Sequence, residues 1–198
     1  MKKKYQHVQD YFKKVSRISD QINIKKIDLL AKALLKIRKR SGRLFFLGVG
    51  GSAGNASHAV NDFRKLCNFE CYTPTDNVSE LTARINDEGW ENSFSDWLKV
   101  SKLNKNDAIF IFSVGGGNKK KNVSTNLISA VDYAKRTKTK IFGVIGKKDG
   151  YANKKGDIVI VVPEVDKRLL TPQTEGFQAV IWHCLVSHPL LQKKKTKW

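Results

Sequence analysis

Acidic residues are scarce in this chain. Its 198 residues hold 18 Asp and Glu against 37 Lys and Arg, a formal net charge of +19. Cysteine and proline are rarer still, at three and four. Cys67, Cys71 and Cys184 are an odd number at no disulfide-rich spacing. A Cys-x3-Cys pair with no further cysteine near it is also a poor zinc signal, so the three read as reduced, mostly buried thiols. Also missing is any apolar run near the roughly 20 residues that cross a bilayer. The amino-terminal Met1-Lys2-Lys3-Lys4-Tyr5-Gln6-His7 lacks the apolar stretch of a signal peptide. A cytoplasmic protein with no membrane partner is the expectation.

What is present is enough apolar material to fold: 40% of the residues are hydrophobic, too many for a disordered chain. The length suits one domain of roughly 100–200 residues. The lysines are scattered, with short runs only at Lys2–Lys4, Lys119–Lys121 and Lys193–Lys195. No run is interleaved with aromatics as a single-strand stacking platform requires, and no helix-turn-helix or zinc-finger pattern accompanies them. The positive charge therefore reads as a solvated lysine surface or an attraction for anionic small molecules, and nucleic acid is not the expected partner.

Apolar and basic residues alternate at helical spacing over the first 40 residues. Val8, Tyr11, Phe12 and Val15 form one stripe; Ile22, Ile27, Leu29, Leu30, Ala33, Leu34 and Ile37 form another after a break near Ser19-Asp20. This helical pair, residues 1–40, is expected to be a packing or oligomerisation arm of the domain that occupies 41–198. From Arg43 short apolar runs alternate with helical segments. Strands are predicted at Leu44–Leu47, near Phe69–Tyr72, and at Ala108–Phe112, Lys140–Ile145 and Asp157–Val162. Helices are predicted at 53–66, 79–85, 92–101, 122–135 and 175–186. Strands that are apolar throughout, rather than at every second residue, indicate a parallel sheet covered on both faces: a three-layer α/β domain.

In such a sheet ligands bind outside the carboxyl ends of the strands. Two glycine loops fall there, Gly48-Val49-Gly50-Gly51-Ser52 and Ser113-Val114-Gly115-Gly116-Gly117-Asn118, each before a helix. Glycine admits an anion close to the backbone, and the helix amino terminus supplies unpaired N–H groups and a favourable dipole. Ser52, Ser113 and Asn118 add hydrogen-bonding side chains. Neither loop has the register of a dinucleotide or triphosphate motif. As a pair they point to a simpler phosphate site.

His58 and Asp62 are four residues apart, on one helix face; Glu175 and His183 are eight apart, slightly over two turns. If the two pairs converge, two imidazoles and two carboxylates make either a Zn²⁺-type site or an acid/base set. Asn86-Asp87 is a third polar cluster, readable as a helix cap or as a group that binds hydroxyls.

Gly50-Gly51-Ser52 with His58, Leu81-Thr82-Ala83 with Asn86-Asp87 and Phe94, Ser113 with its glycine loop, Asn122-Val123, Ala130, and Glu175 with His183 stand in a fixed order. Together, from about residue 44 to 188, they resemble the sugar isomerase (SIS) fold, specifically the phosphoheptose isomerase group. The resemblance implies a flavodoxin-like parallel sheet, and an enzyme that converts sedoheptulose 7-phosphate to the aldose heptose 7-phosphate through a cis-enediol. It implies a cytoplasmic homotetramer with active sites at subunit interfaces and, in many members, bound Zn²⁺. Gly50, Gly51, Ser52 and Ser113 would hold the phosphate end, and Asn86 and Asp87 the hydroxyls. Asp62 or Glu175 would be the base and His183 the acid. His58, Asp62, Glu175 and His183 would hold the metal.

Four departures mark this chain. Val49 stands where the group has asparagine, Asp62 where it has glutamate, Glu175 where it has glutamine, and residues 113–118 replace a Ser-Thr-Ser-Gly-Asn-Ser loop, with about two residues added before Asn122. The altered loop and the high charge also fit a different class, a non-catalytic SIS module that senses a sugar phosphate or binds protein as a tetramer in replication initiation. Ionisable groups at 58, 62, 175 and 183 favour the enzyme.

Overall fold

The computed structural model describes residues 5–196. Two helices, α1 (Gln6–Gln21) and α2 (Ile24–Lys39), precede an alternation of β1 (Leu44–Leu47), α3 (Gly51–Cys67), β2 (Cys71–Tyr72), α4 (Val78–Glu88), α5 (Ser93–Val100), β3 (Ala108–Ser113), α6 (Thr125–Arg136), β4 (Lys140–Ile145), α7 (Tyr151–Lys155), β5 (Ile158–Val161) and α8 (Leu170–Val186). The five strands are all parallel in the order β2-β1-β3-β4-β5. This is the flavodoxin-like order, with its switch point between β1 and β3.

Every residue of β1 and β3 is buried, as continuous apolar strands demand when helices cover both faces. Phe46, Phe110 and Phe112 turn to the face covered by α2, α3 and α8; Phe45, Leu47, Ile109 and Ile111 turn to the face covered by α5, α6 and α7. Phe46 stacks on Phe110 at 5.1 Å between ring centroids. Each such ring taken out of water is worth about 1.5–3 kcal/mol, so this row fixes the sheet under α3 and α8.

The predicted arm divides in two. α2 buries Leu30, Ala31, Leu34 and Ile37 and is an integral layer of the domain, whereas α1 buries only Ile18 and leaves Val8 and Phe12 exposed, as is Tyr5 just before it. The break falls later than Ser19-Asp20: α1 runs to Gln21, and Asn23 caps α2, its Oδ1 accepting the Lys26 N–H at 2.9 Å. Other boundaries move as well. α6 starts at Thr125 rather than Asn122, because Asn118 and Val123 close a bridge and Asn122 and Ser124 take positive φ. α8 starts at Leu170, so Glu175 lies in its second turn rather than at its amino end. The five-residue α7 has too few positions to show a helical period, and the sequence reading missed it.

Candidate active site

The switch point places α3, which leaves β1, beside α8. The turn into α3 is tight: a Cβ at Gly48 would meet the Ser52 carbonyl oxygen at 2.2 Å, and Gly50 sits at φ 63°, a conformation that glycine adopts without strain. Five contacts set the two helices parallel and in register. Asn55 Nδ2 donates to Gln178 Oε1 at 2.8 Å and to the Glu175 carbonyl at 3.0 Å. Gln178 Nε2 donates to Ser52 Oγ at 3.1 Å. Trp182 Nε1 donates to Asp62 Oδ2 at 3.1 Å. Cys67 Sγ lies 3.5 Å from the Val186 carbonyl.

This register brings His183 of α8 to His58 and Asp62 of α3. The Nε2 atoms of His58 and His183 lie 3.5 and 3.4 Å from Asp62 Oδ2, and one donor atom from each of the three residues lies within 4.8 Å of the others. Asp62 is buried while both imidazoles are half exposed, so the carboxylate forms the floor of the group and the rings its open side. Asn61 Nδ2 donates to the other oxygen, Oδ1, at 3.0 Å. Two nitrogens and one oxygen from three side chains are the donor set of a catalytic zinc site with a coordination position left for solvent or substrate.

Glu175 does not join that group. Its carboxylate packs against Gly51, where an added Cβ would meet Oε2 at 2.6 Å. The cause is the register of α8 on α3, which puts Glu175 level with the amino end of α3, about 10 Å along the helix from His58 by the rise of 1.5 Å per residue. A carboxylate is well placed there, since the amino end of a helix attracts negative charge. The same region was the expected phosphate cradle. Gly50 remains open, with nothing within 4 Å of an added Cβ, but Ser52 is buried under Gln178.

In the second loop, Ser113 is buried and its Oγ accepts the Gly116 N–H at 3.0 Å, while Gly115 faces open space. Gly116 and Gly117 have φ of 68° and 82°. Asn118 accepts the Lys121 N–H at 3.0 Å and so braces the turn that carries Lys119–Lys121. Lys119 is tied down by Asp132 at 3.1 Å and lies over the Tyr151 ring at 4.6 Å; Tyr151 in turn donates to Asp132. Lys120 and Lys121 remain exposed at the tip.

Asn86 and Asp87 are not between helices but in the last turn of α4, exposed, with Asn86 Nδ2 donating to Asp87 Oδ1 at 2.8 Å. α4 packs against α5 and the turn before it, and within one chain it does not bring these side chains to the α3/α8 seam. The sequence reading missed Trp182, Asn55 and Asn61. Nothing in their spacing announces them, although Asn55 and Asn61 flank His58 by one turn on either side.

The SIS domain family matches residues 10–146. The phosphoheptose isomerase of Burkholderia pseudomallei (strain 1710b) is 27% identical over 186 residues, 89% of this chain and 88% of that protein. The lincomycin biosynthesis protein LmbN of Streptomyces lincolnensis is 28% identical over 169 residues, 80% of this chain, which spans 60% of LmbN's length. Among solved structures, phosphoheptose isomerase GmhA from Neisseria gonorrhoeae superposes with a TM-score of 0.78 at 21% identity, covering 91% of this chain and 95% of that one. At that identity the structural likeness speaks for the fold.

Proposed function

The chain belongs to the SIS domain family, in its phosphoheptose isomerase group, and on that premise we propose that it interconverts the ketose sedoheptulose 7-phosphate and its aldose isomer. The observation that carries the reading is the convergence of His58, Asp62 and His183 across the α3/α8 seam. Asp62 acts as the base: its carboxylate takes the proton from the carbon next to the carbonyl, the C–H electrons form the enediol double bond, and the carbonyl oxygen gains negative charge. His183, 3.4 Å from Asp62, delivers a proton to that oxygen. Asp62 then returns the first proton to the neighbouring carbon while the hydroxyl proton on the first carbon passes back to His183, which completes the exchange of carbonyl and hydroxyl positions. The comparisons favour the isomerase, and the sensor reading is not favoured.

Zn²⁺, when bound, would be held by His58, Asp62 and His183 and, as a Lewis acid, would polarise the sugar carbonyl in place of the proton from His183, leaving the second oxygen of Asp62 to act as the base. The phosphate end falls to the second loop. Ser113 and the Gly115–Gly117 backbone line it, α6 begins behind it, and Lys120 and Lys121 raise the local positive potential. Glu175 beside Gly51 makes the first loop a poorer anion site, so Gly50, Gly51 and Ser52 serve instead to shape the crevice. Asn86 and Asp87 would reach sugar hydroxyls only from a neighbouring subunit. A homotetramer with active sites between subunits would meet that need and would cover Val8 and Phe12 of α1 and Tyr5 just before it, which are exposed in the single chain. Among the described residues no helix is long and apolar enough to cross a membrane, in keeping with a cytoplasmic enzyme.

The test is turnover of sedoheptulose 7-phosphate by the purified protein, before and after chelation and after Zn²⁺ is restored. Conversion that falls on chelation and returns with Zn²⁺ is expected. Tight binding of the sugar phosphate without conversion would replace the enzyme with a sensor.

A further inference from the structure

Trp182 is 2% exposed and sits where α8 meets α3. Its ring packs against both imidazoles, 5.2 Å from His58 and 4.8 Å from His183 between centroids, and against Phe112 of the sheet at 5.7 Å. The indole offers one hydrogen-bond donor and no acceptor, and that N–H is spent on Asp62 Oδ2 at 3.1 Å. This is the same oxygen that lies nearest both histidine Nε2 atoms.

We propose that Trp182 is the positioning residue of the site: its buried N–H fixes the rotamer of Asp62, and its ring sets the tilt of His58 and His183. Aspartate has a short stem and, buried at the floor of the group, two torsions with which to turn away from the imidazoles. A donor rooted in the core through Phe112 removes that freedom, while Asn61, which is exposed, holds the other oxygen loosely and can yield it to substrate. The arrangement is that of an outer-shell hydrogen bond to a ligating carboxylate, whose loss commonly costs 10–100-fold in metal affinity or activity. Ring packing alone would fill the core without aiming an N–H at a carboxylate.

The catalytic meaning of this role rests on the isomerase reading, so the experiment reads both separately. Zn²⁺ binding to the full chain is measured by calorimetry for the wild type, Trp182→Phe and Trp182→Leu, alongside circular dichroism and sedoheptulose 7-phosphate turnover. Both variants are expected to bind Zn²⁺ about 10–100-fold more weakly, Trp182→Phe while keeping its helix content. A Trp182→Phe protein that is folded and binds Zn²⁺ within twofold of the wild type overturns the proposal, as does a wild type that binds no Zn²⁺. Should both variants unfold, Asp62→Ala keeps Trp182 in place. Its indole N–H resonance is then expected to shift and to exchange faster with solvent, and an unmoved resonance overturns the proposal. Absence of turnover in the wild type, with the Zn²⁺ affinities separated as expected, would remove the isomerase reading and leave the positioning role standing.

Discussion

The carboxylate of Glu175 lies against Gly51 so closely that a Cβ there would meet Oε2 at 2.6 Å. One helix end thus already holds a negative charge, and the two carboxylates of the expected four-residue cluster have separate tasks: Asp62 faces the imidazoles and Glu175 faces the glycine loop. Glu175→Gln distinguishes them. It is expected to keep kcat within a few fold and to lower KM for the phosphorylated sugar, because a charge that repels the substrate is gone. A fall in kcat of about 100-fold or more, the scale of losing a general base, would return Glu175 to the reacting atoms.

His183→Ala is expected to reduce turnover by about 10²–10⁴-fold, the usual contribution of a positioned acid or base. The side chain is half exposed, so melting temperature and circular dichroism should hardly change. Isomerase rates near the wild type in that variant would take His183 out of the mechanism.

Lys120 and Lys121 stand at the tip of the second loop, while Lys119 is neutralised by Asp132. Replacing both with glutamine is expected to raise KM several fold at low ionic strength and to leave kcat unchanged. The difference should shrink as salt rises, because exposed charges more than about 8 Å apart are largely screened at physiological ionic strength. A KM that ignores both the substitution and the salt would mean that these lysines only solvate the surface.

Thiol chemistry should separate the three cysteines. Burial pushes the Cys67 thiol up to about 11 and the Cys71 thiol up to about 12, and thiolate is the reactive form. Cys184 is exposed. A chromogenic disulfide reagent at neutral pH is expected to titrate one thiol rapidly and the other two only on unfolding. Fast reaction of all three would contradict the packing of Cys67 and Cys71.

Acid should loosen the docking of α1. Hydrogen bonds from the Arg168 side chain and then from Lys14 hold the Asp166 carboxyl well below the usual carboxylate range, and Lys14 belongs to α1, 2.8 Å away. A depressed carboxylate stabilises the fold fully above its unfolded pKa of about 3.9 and loses that contribution as pH falls below it. Asp166→Asn is therefore expected to melt below the wild type at pH 7, with the difference closing toward pH 2. A gap that persists in acid would assign the effect to something other than charge.

The fold class was legible in the sequence because its signals are local. Continuous apolar strands such as Ala108–Phe112, spaced by helical runs and closed by glycine loops, indicate a parallel sheet covered on both faces. His58 and Asp62 could be paired from their four-residue spacing, since the helix itself makes them neighbours. What the sequence could not decide was register between elements distant along the chain. Only the packing of α8 on α3 brings His183 to Asp62, sends Glu175 to Gly51, and buries Trp182 with its N–H on the carboxylate. It also leaves Asn86 and Asp87 outside the seam. The physical reason is that helix faces are written in local periodicity, whereas which faces meet, and at which turn, is fixed by side-chain interlocking over the sheet that neither segment encodes alone.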